Sequence, residues 1–384
     1  MRDSVPGYNP PMFDWRLHTR IVCGAGALAQ LGELTRGLGT RALLVTDPGI
    51  VQAGHVARAE AFLSAAGVAT AVFAAVHENP TTDDVEACLE LARQFRPEVL
   101  IALGGGSAMD TAKGTNFILT NGGPLRDFWV ASPVRRGFTS PLLPSIAIPT
   151  TAGTGSEVQC HALIADATTH AKMALGETGA EPTIALLDPE LTVSLPHGVT
   201  ANVGIDALVH AIETAVTKPR TPLSLLFSHK AFQLLSASFG LVLREPNNLE
   251  AREGMLLGST WAGLAIEYSM LGIAHSLANP LTAHFGTVHG QAVGVMLPHV
   301  IRFNAQDPAA YRAYEALGHT PEALATLVTG WLEQAQMHTT LSECGITEAL
   351  LPTLAAEAAR QWTATFNPRS VTVSDLEMLY RAAF

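Results

Sequence analysis

The sequence predicts an α/β domain with a mostly parallel sheet, followed by an all-helical domain. From about Arg41, strand-like and helix-like segments alternate, which is typical of a parallel sheet covered by helices on both faces. After Ser194-Leu195-Pro196, long helix-periodic segments replace this alternation, and no convincing strand remains. The 384 residues are enough for two domains with sizeable cores. We therefore expect one domain over residues 1–196 and a helical domain over residues 197–384.

The individual elements follow from short apolar runs and from helix-like composition between them. Strand-like runs are 41–45, 68–76, 99–103, 145–148 and 183–187, and helix-like segments in between are 51–66, 82–95 and 111–119. The helices expected in the second domain are 199–216, 223–239, 249–274, 311–317 and 321–336. Ligands of parallel sheets gather at the carboxyl ends of the strands. Asp47, Gly104–Ser107 and 150–156 all follow strand-like runs, so we expect them to line one crevice.

Composition limits the possible partners. The formal net charge is −11 and nothing resembles a basic patch, which argues against nucleic acid as a partner. The first six residues lack the apolar core of a signal peptide, and we expect no apolar run long enough to span a bilayer. The four cysteines are far apart without CxxC spacing, as in cytoplasmic proteins that use neither disulfides nor a cysteine zinc site.

Three consecutive glycines, Gly104–Gly106, stand between an apolar strand and a helix, with Ser107 next. Absent Cβ atoms let a phosphate approach the backbone N–H groups, and the helix N-terminus adds partial positive charge. The run is not the GxGxxG dinucleotide pattern, because Met109 takes the place of the third glycine. A plain glycine turn between strand and helix explains the run about equally well.

Two further features raise the expectation of a nucleotide. Asp47 ends the first strand, where a carboxylate can accept hydrogen bonds from the ribose hydroxyls and repel a 2′-phosphate, favouring NAD over NADP. A turn or helix-capping aspartate is nevertheless the commoner role at such a position. The run 149–157, PTTAGTGSE, is a second loop of small residues after a strand. Two such loops on one sheet favour a bound nucleotide.

The helical domain carries a possible metal site. Asp206 and His210 are four residues apart and so lie on one face of a helix, and His275 and His289 follow later. One carboxylate and three imidazoles suit a divalent transition metal such as iron or zinc, with a position left for substrate. The chain has 14 histidines, however, and a hydrogen-bonded Asp–His pair without metal is the more common reading of the spacing alone.

Over nearly its whole length the chain resembles the iron-dependent (group III) alcohol dehydrogenase family. The matching motifs are Gly104–Ser107 with Asp110 and Lys113, 149–157, 204–213, His275 and His289 up to Leu297-Pro298-His299, and Asn79-Pro80-Thr81. The resemblance implies a Rossmann-like NAD(P)-binding domain and a helical metal-binding domain, in a dehydroquinate synthase-like fold. It also implies interconversion of a small alcohol and its aldehyde or ketone, and a homodimer.

Carried over by position, the resemblance assigns roles to individual residues. The metal ligands would be Asp206, His210, His275 and His289, holding Fe²⁺, with Zn²⁺ as the alternative. The cofactor, NAD rather than NADP, would be bound by Asp47, Asn79, Gly104, Gly105, Gly106, Ser107, Asp110, Thr150, Thr151 and Thr154. Lys172 falls near a lysine found in many members, although an exposed lysine after a turn needs no function.

The chain departs from the family at one position. Many members carry another histidine four residues after the third ligand, and this chain has Asn279, which cannot titrate near neutral pH. Alternatives that stay open are a metal-independent reductase of the maleylacetate type, a dehydroquinate-synthase-like lyase and a non-catalytic NAD-binding sensor. The substrate is not specified, although Trp261, Tyr268 and Phe285 are expected around an apolar pocket for a small alcohol.

Overall fold

A six-stranded, fully parallel sheet is the central element of the N-terminal half, in a computed structural model that describes residues 16–384. Its strands lie in the order β1-β8-β5-β4-β2-β3, and β6 and β7 form a separate antiparallel ribbon. The strands are β1 Arg20–Cys23, β2 Arg41–Val45, β3 Ala69–Phe73, β4 Val99–Gly104, β5 Ser145–Pro149, β6 Ala162–Ala165, β7 Lys172–Leu175 and β8 Ile184–Leu187. The predicted fold class is confirmed.

Helices cover both faces of this sheet, because its central strands are apolar on both sides. Leu44 of β2 packs with Val56 and Leu63 on one face, whereas Leu43 packs with Cys88 on the other. The helices of this half are α1 Leu31–Arg36, α2 Pro48–Gln52, α3 His55–Ala65, α4 Thr82–Phe95 and α5 Gly106–Asn121. The predicted segment 51–66 is two helices, since Gly54 interrupts it with a φ of +81°.

The remaining part of the described chain is helical, as predicted. Its helices are α6 His197–Thr214, α7 Pro222–Arg244, α8 Leu249–Glu267, α9 Ile273–Phe285, α10 His289–Asn304, α11 Pro308–Glu315, α12 Pro321–Gln334, α13 Leu351–Ala358 and α14 Val373–Ala382. The single helix predicted over 249–274 is wrong in extent: α8 ends at Glu267 and α9 begins at Ile273.

The chain divides into two compact units. The α/β unit comprises His18–Gly204 and Ala237–Gly263, and the helical unit comprises Ile205–Ser236, Leu264–Phe384 and residues 16–17. Strands give way to helices at the boundary expected after residue 196, while residues 197–204 and 237–263 belong to the α/β unit.

One described helix, α7, is long and apolar enough to cross a membrane by length and composition, with a mean hydropathy of 1.2. The helix is not an uninterrupted apolar run, because Ser228, His229, Lys230 and Gln233 lie within it. The core helices of soluble proteins pass the same test, so the helix is weak evidence of a membrane span. The N-terminal segment considered for a signal peptide lies outside the described residues.

Candidate active site

The carboxyl edge of the sheet brings together three of the predicted cofactor segments. Strands β5, β4 and β2 are neighbours, so the loops that follow them lie side by side. The chain proceeds from β2 to β3 in one direction and from β4 to β5 in the other, which makes the crevice between β2 and β4 the topological switch point of the sheet. Ligands of open α/β sheets bind at this point.

The glycine turn forms the centre of this edge. Helix α5 begins at Gly106, with Gly105 as its N-cap, so the free N–H groups of its first turn belong to the predicted phosphate-binding residues. A Cβ on Gly106 would lie 2.9 Å from Cγ2 of Thr154, and one on Gly105 would lie 3.4 Å from the Thr151 side chain. Glycine is therefore needed at Gly106 for the two loops to approach this closely.

The second loop contributes a buried hydroxyl. The N–H of Thr150 donates to the carbonyl of Gly104 at 2.9 Å, which ties the two loops together at their base. The Oγ1 atom of Thr150 is buried and has no hydrogen-bond partner. Buried hydroxyls are normally hydrogen-bonded, so an unpaired one at this edge suits a ligand that supplies the missing partner.

Asp47 caps a helix, which is the commoner role considered for it. Its Oδ1 accepts hydrogen bonds from the N–H groups of Gly49 and Ile50 at 2.8 and 3.1 Å. Its other oxygen, Oδ2, points along the same edge, 3.4 Å from where a Cβ on Gly104 would lie. The cap fixes the carboxylate in place beside the glycine turn, and its contact with a ribose stays a prediction.

Two other residues assigned to the cofactor lie in different settings. Asn79 is in an exposed turn with a φ of +53°, a conformation that asparagine adopts more readily than most residues. Asp110 is buried in α5, where its Oδ1 accepts a hydrogen bond from Ser156 Oγ at 3.0 Å. Cofactor binding by both residues stays a prediction.

The four predicted metal ligands converge within the helical unit. Asp206 and His210 lie on α6, His275 is in the first turn of α9 and His289 begins α10. The Nε2 atoms of the three histidines lie 3.3, 3.5 and 3.6 Å from Oδ1 of Asp206. These separations are long for hydrogen bonds, whereas ligand atoms about 2.1 Å from one tetrahedral ion lie about 3.4 Å apart.

Most of this cluster is buried, and two of its polar atoms have no hydrogen-bond partner. Asp206, His210 and His275 are buried, and the side chain of His289 is 32% exposed. Oδ1 of Asp206 and Nε2 of His275 are buried without a hydrogen-bond partner. A shared cation would satisfy both atoms at once, so the donor set and its orphaned atoms fit a divalent metal ion.

The electrostatics of the cluster favour added positive charge. Burial opposes ionisation of Asp206, but the imidazoles of His210, His289 and His275 outweigh it and hold the pKa of this carboxyl well below its ordinary value. Burial likewise disfavours imidazolium at His275, but the carboxylates of Asp206 and Glu213 outweigh it and raise the pKa of His275 to about 9. The two carboxylates thus favour positive charge at His275, and the imidazoles favour the ionised form of Asp206.

Glu213 is a functional residue that the sequence analysis did not single out. It is buried on α6 and accepts hydrogen bonds from His275 Nδ1 at 2.7 Å and from the N–H groups of Gly272 and Ala274 at 3.0 and 2.7 Å. A carboxylate only accepts, so Nδ1 carries the hydrogen and Nε2 of neutral His275 offers its lone pair to the cluster. The position of Glu213 three residues after His210, on the same helix face and within the motif 204–213, was the available signal.

The other residues considered in the sequence analysis are Asn279, Lys172 and the aromatic residues expected around a substrate pocket. The side-chain amide of Asn279, one turn beyond His275, donates to Oε1 of Gln361 at 3.1 Å. Lys172 begins β7 and is exposed. The hydroxyl of Tyr268 donates to the carbonyl of Arg16 at 2.8 Å. Phe285 ends α9, about 15 Å along the helix axis from His275, so it is distant from the ligands.

Comparison with known proteins identifies the family. Residues 18–189 match the model of iron-containing alcohol dehydrogenases, and residues 200–384 match the model of the C-terminal region of the Fe-containing alcohol dehydrogenase family. The chain belongs to the iron-containing alcohol dehydrogenase family. It is accordingly a metal-dependent, NAD-linked alcohol dehydrogenase that interconverts a small alcohol and its aldehyde or ketone.

Similar proteins match this chain over nearly its whole length. Alcohol dehydrogenase 4 of Schizosaccharomyces pombe is 31% identical over 94% of this chain and 86% of its own. The crystal structure of a 1,3-propanediol oxidoreductase has a TM-score of 0.91 at 29% identity, covering 97% of this chain and 100% of that one. That of sulfoacetaldehyde reductase from Bifidobacterium kashiwanohense with NAD⁺ has a TM-score of 0.90 at 30% identity, covering 97% and 99%.

Proposed function

We propose that Asp206, His210, His275 and His289 bind the iron ion of this dehydrogenase. The observation that carries the proposal is the convergence of three Nε2 atoms within 3.3–3.6 Å of one carboxylate oxygen. A divalent ion in this position supplies Lewis acidity, which lowers the pKa of an alcohol oxygen and polarises a carbonyl. Iron is preferred because of the family, and the same ligands also suit zinc.

The chain's own groups prepare the site for this chemistry. Asp206 supplies the negative charge that offsets a divalent cation, and its low pKa keeps the carboxylate ionised throughout the neutral range. Glu213 fixes the ring orientation and tautomer of His275. Asn279 cannot exchange a proton near neutral pH, so we propose that protons reach the substrate oxygen through water and ribose hydroxyls, as opposed to a side chain at this position.

We further propose that the carboxyl edge of the α/β sheet binds NAD. The N–H groups at the start of α5, with Gly105, Gly106 and Ser107, would bind the pyrophosphate, and Thr150, Thr151 and Thr154 would contact the phosphates and the nicotinamide side. Asp47 would accept hydrogen bonds from the adenosine ribose and repel a 2′-phosphate, which makes NAD the preferred cofactor. Residues 1–196 would thus carry cofactor binding and 197–384 metal binding.

The substrate is proposed to be a short primary alcohol or diol, since a 1,3-propanediol oxidoreductase is among the similar structures. We also propose a homodimer, as the family resemblance implies. A cytoplasmic location is supported by Cys23, Cys88 and Cys344, which form no disulfide, because a reducing compartment keeps thiols reduced.

The test is NADH formation by metal-stripped protein from a panel of short alcohols and diols, before and after anaerobic addition of ferrous iron or zinc. We expect activity only with metal, and we expect H275A to lose iron and turnover while NADH binding is kept. H284A is the matched control, because His284 lies on the same helix, is exposed and bonds Glu357. Activity without metal, or normal iron content in H275A, would overturn the ligand assignment.

A further inference from the structure

A buried polar network joins α5 to the second small-residue loop, behind the proposed phosphate-binding residues. The ammonium of Lys113 donates to the carbonyl and to the hydroxyl of Ser156 at 2.7 and 2.8 Å, and to the carbonyl of His161 at 3.0 Å. The Ser156 hydroxyl in turn donates to Oδ1 of Asp110 at 3.0 Å. Asp110, Lys113 and Ser156 are all more than nine-tenths buried.

We propose that these three residues set the gap between the two cofactor loops, and thereby act as positioning residues for NAD. This inference rests on the proposed function, because it presumes that the loops bind the cofactor. In this proposal Asp110 acts by holding Ser156 and does not contact the cofactor. Lys113 and Ser156 contribute to NAD binding by holding the loop, and they take no part in the reaction itself.

The gap is narrow, so small displacements matter. A Cβ on Gly106 would lie 2.9 Å from Thr154, which means that the loops approach more closely than a side chain at position 106 would allow. Ser156 lies two residues after Thr154, and its N–H donates to Oγ1 of Thr154 at 3.3 Å. Fixing Ser156 through its N–H, carbonyl and hydroxyl groups therefore fixes Thr154 relative to the start of α5.

The charges of the network favour an indirect role. Burial raises the pKa of Asp110, and Lys113 and the Ser156 hydroxyl partly counter this. A carboxylate placed against a pyrophosphate would repel it, whereas a carboxylate that holds Ser156 does not. Lys113 lies seven residues after Gly106, about 10 Å along α5, and it spends three donors on the loop.

The experiment measures NADH affinity, kcat at saturating NAD and amide hydrogen exchange for S156A, K113M and D110N. We expect the Kd for NADH to rise about 10- to 100-fold in K113M, the scale of one lost hydrogen bond to a charged phosphate, and less in S156A. We expect kcat at saturating NAD to change less than threefold, and exchange to accelerate at residues 150–158 alone. K230M, at an exposed lysine of α7 that bonds Gln233, is the matched control.

A double-mutant cycle separates positioning from direct contact. If Asp110 acts through Ser156, the S156A/D110N variant binds NADH no more weakly than the worse single variant. Additive losses would show that Asp110 contacts the cofactor independently and would overturn the proposal. S156A keeps the backbone carbonyl bond to Lys113, so it tests the network even if K113M does not fold.

The failure of this inference differs from the failure of the proposed function. Suppose that wild type binds NADH, that G106A loses this binding, and that the network variants bind as well as wild type. The positioning role is then overturned, while the role of the loops in cofactor binding stands. If wild type does not bind NADH, or G106A binds it as well as wild type, the cofactor site itself is wrong, and the inference is overturned with it.

Discussion

Replacing Glu213 with glutamine tests how far the metal site depends on a group that does not belong to the proposed ligand set. Oε2 of Glu213 accepts hydrogen bonds from Gly272 N–H and from His275 Nδ1, and Oε1 accepts one from Ala274 N–H. Glutamine has nearly the same shape but only one acceptor oxygen. In either orientation of the amide, its NH₂ group faces at least one buried N–H donor.

The magnitude follows from these three bonds. The favoured orientation keeps the oxygen on Gly272 and His275 and leaves the N–H of Ala274 unpaired, at a cost of about 1–3 kcal/mol. The negative charge that orients the imidazole is also lost. Loss of an outer-shell partner lowers metal affinity about 10- to 100-fold, which corresponds to about 1.4–2.7 kcal/mol. The first figure is the expected loss of folding stability, and the second is the expected loss of iron affinity.

The assay is anaerobic competition for ferrous iron between the protein and a chelator of known affinity, with NADH binding measured in parallel. We expect the iron Kd of E213Q to rise 10- to 100-fold and NADH affinity to stay within twofold. E357Q is the matched control, because Glu357 pairs with the exposed His284 in the same kind of carboxylate–imidazole bond, at 2.8 Å. Iron affinity of E213Q within twofold of wild type would refute the reasoning.

Three further outcomes are expected. Gly155 has a φ of +65° and a Cβ there would lie 2.5 Å from Gly263 Cα, so G155A should lower the free energy of unfolding by about 2–5 kcal/mol. G179A, at a glycine in open space with a φ of +99°, should lower it by only about 1–2 kcal/mol. Equal losses in urea unfolding would contradict this difference. L44A should cost about 2–5 kcal/mol in the same assay, since Leu44 is fully buried. Burial lowers the pKa of His161 from 6.5 to about 4, so the unfolded chain binds more protons between these pH values and stability falls as the pH drops through this window. H161Q should remove up to about 3 kcal/mol of this pH dependence of the free energy of unfolding. An unchanged slope of the free energy of unfolding against pH would contradict the shift.

The sequence predicted correctly the bounds of those elements that are set by neighbouring residues in the chain. The bounds of β2 and α4 are those expected, because β2 is an uninterrupted apolar run and Thr81 begins α4 with a capping box. The edge strand Arg20–Cys23 was missed, since its side chains are partly exposed and its apolar run has only three residues. The β6–β7 ribbon was missed as well; its strands have only four residues each.

The metal site could be predicted only in part from the sequence, for a different physical reason. Asp206 and His210 could be paired from helical spacing, but the approach of His275 and His289 depends on tertiary contacts that no local pattern encodes. The resemblance supplied those two residues. The break between α8 and α9 was missed because apolar residues continue past Ser269 and Gly272 up to Ala274. In the structure the N–H groups of Gly272 and Ala274 donate to the carboxylate of Glu213.

Helix α6 carries two proposed ligands and the carboxylate that orients a third, at spacings of four and three residues. Each residue of an α-helix turns about 100° around the axis. Deleting or inserting one residue between Asp206 and Glu213 would therefore swing one part of the set away from the other by more than a quarter turn. A change in the length of the loops before α9 or α10 would not rotate these three residues relative to one another, so the eight-residue block 206–213 is the part of the site whose length helix geometry fixes.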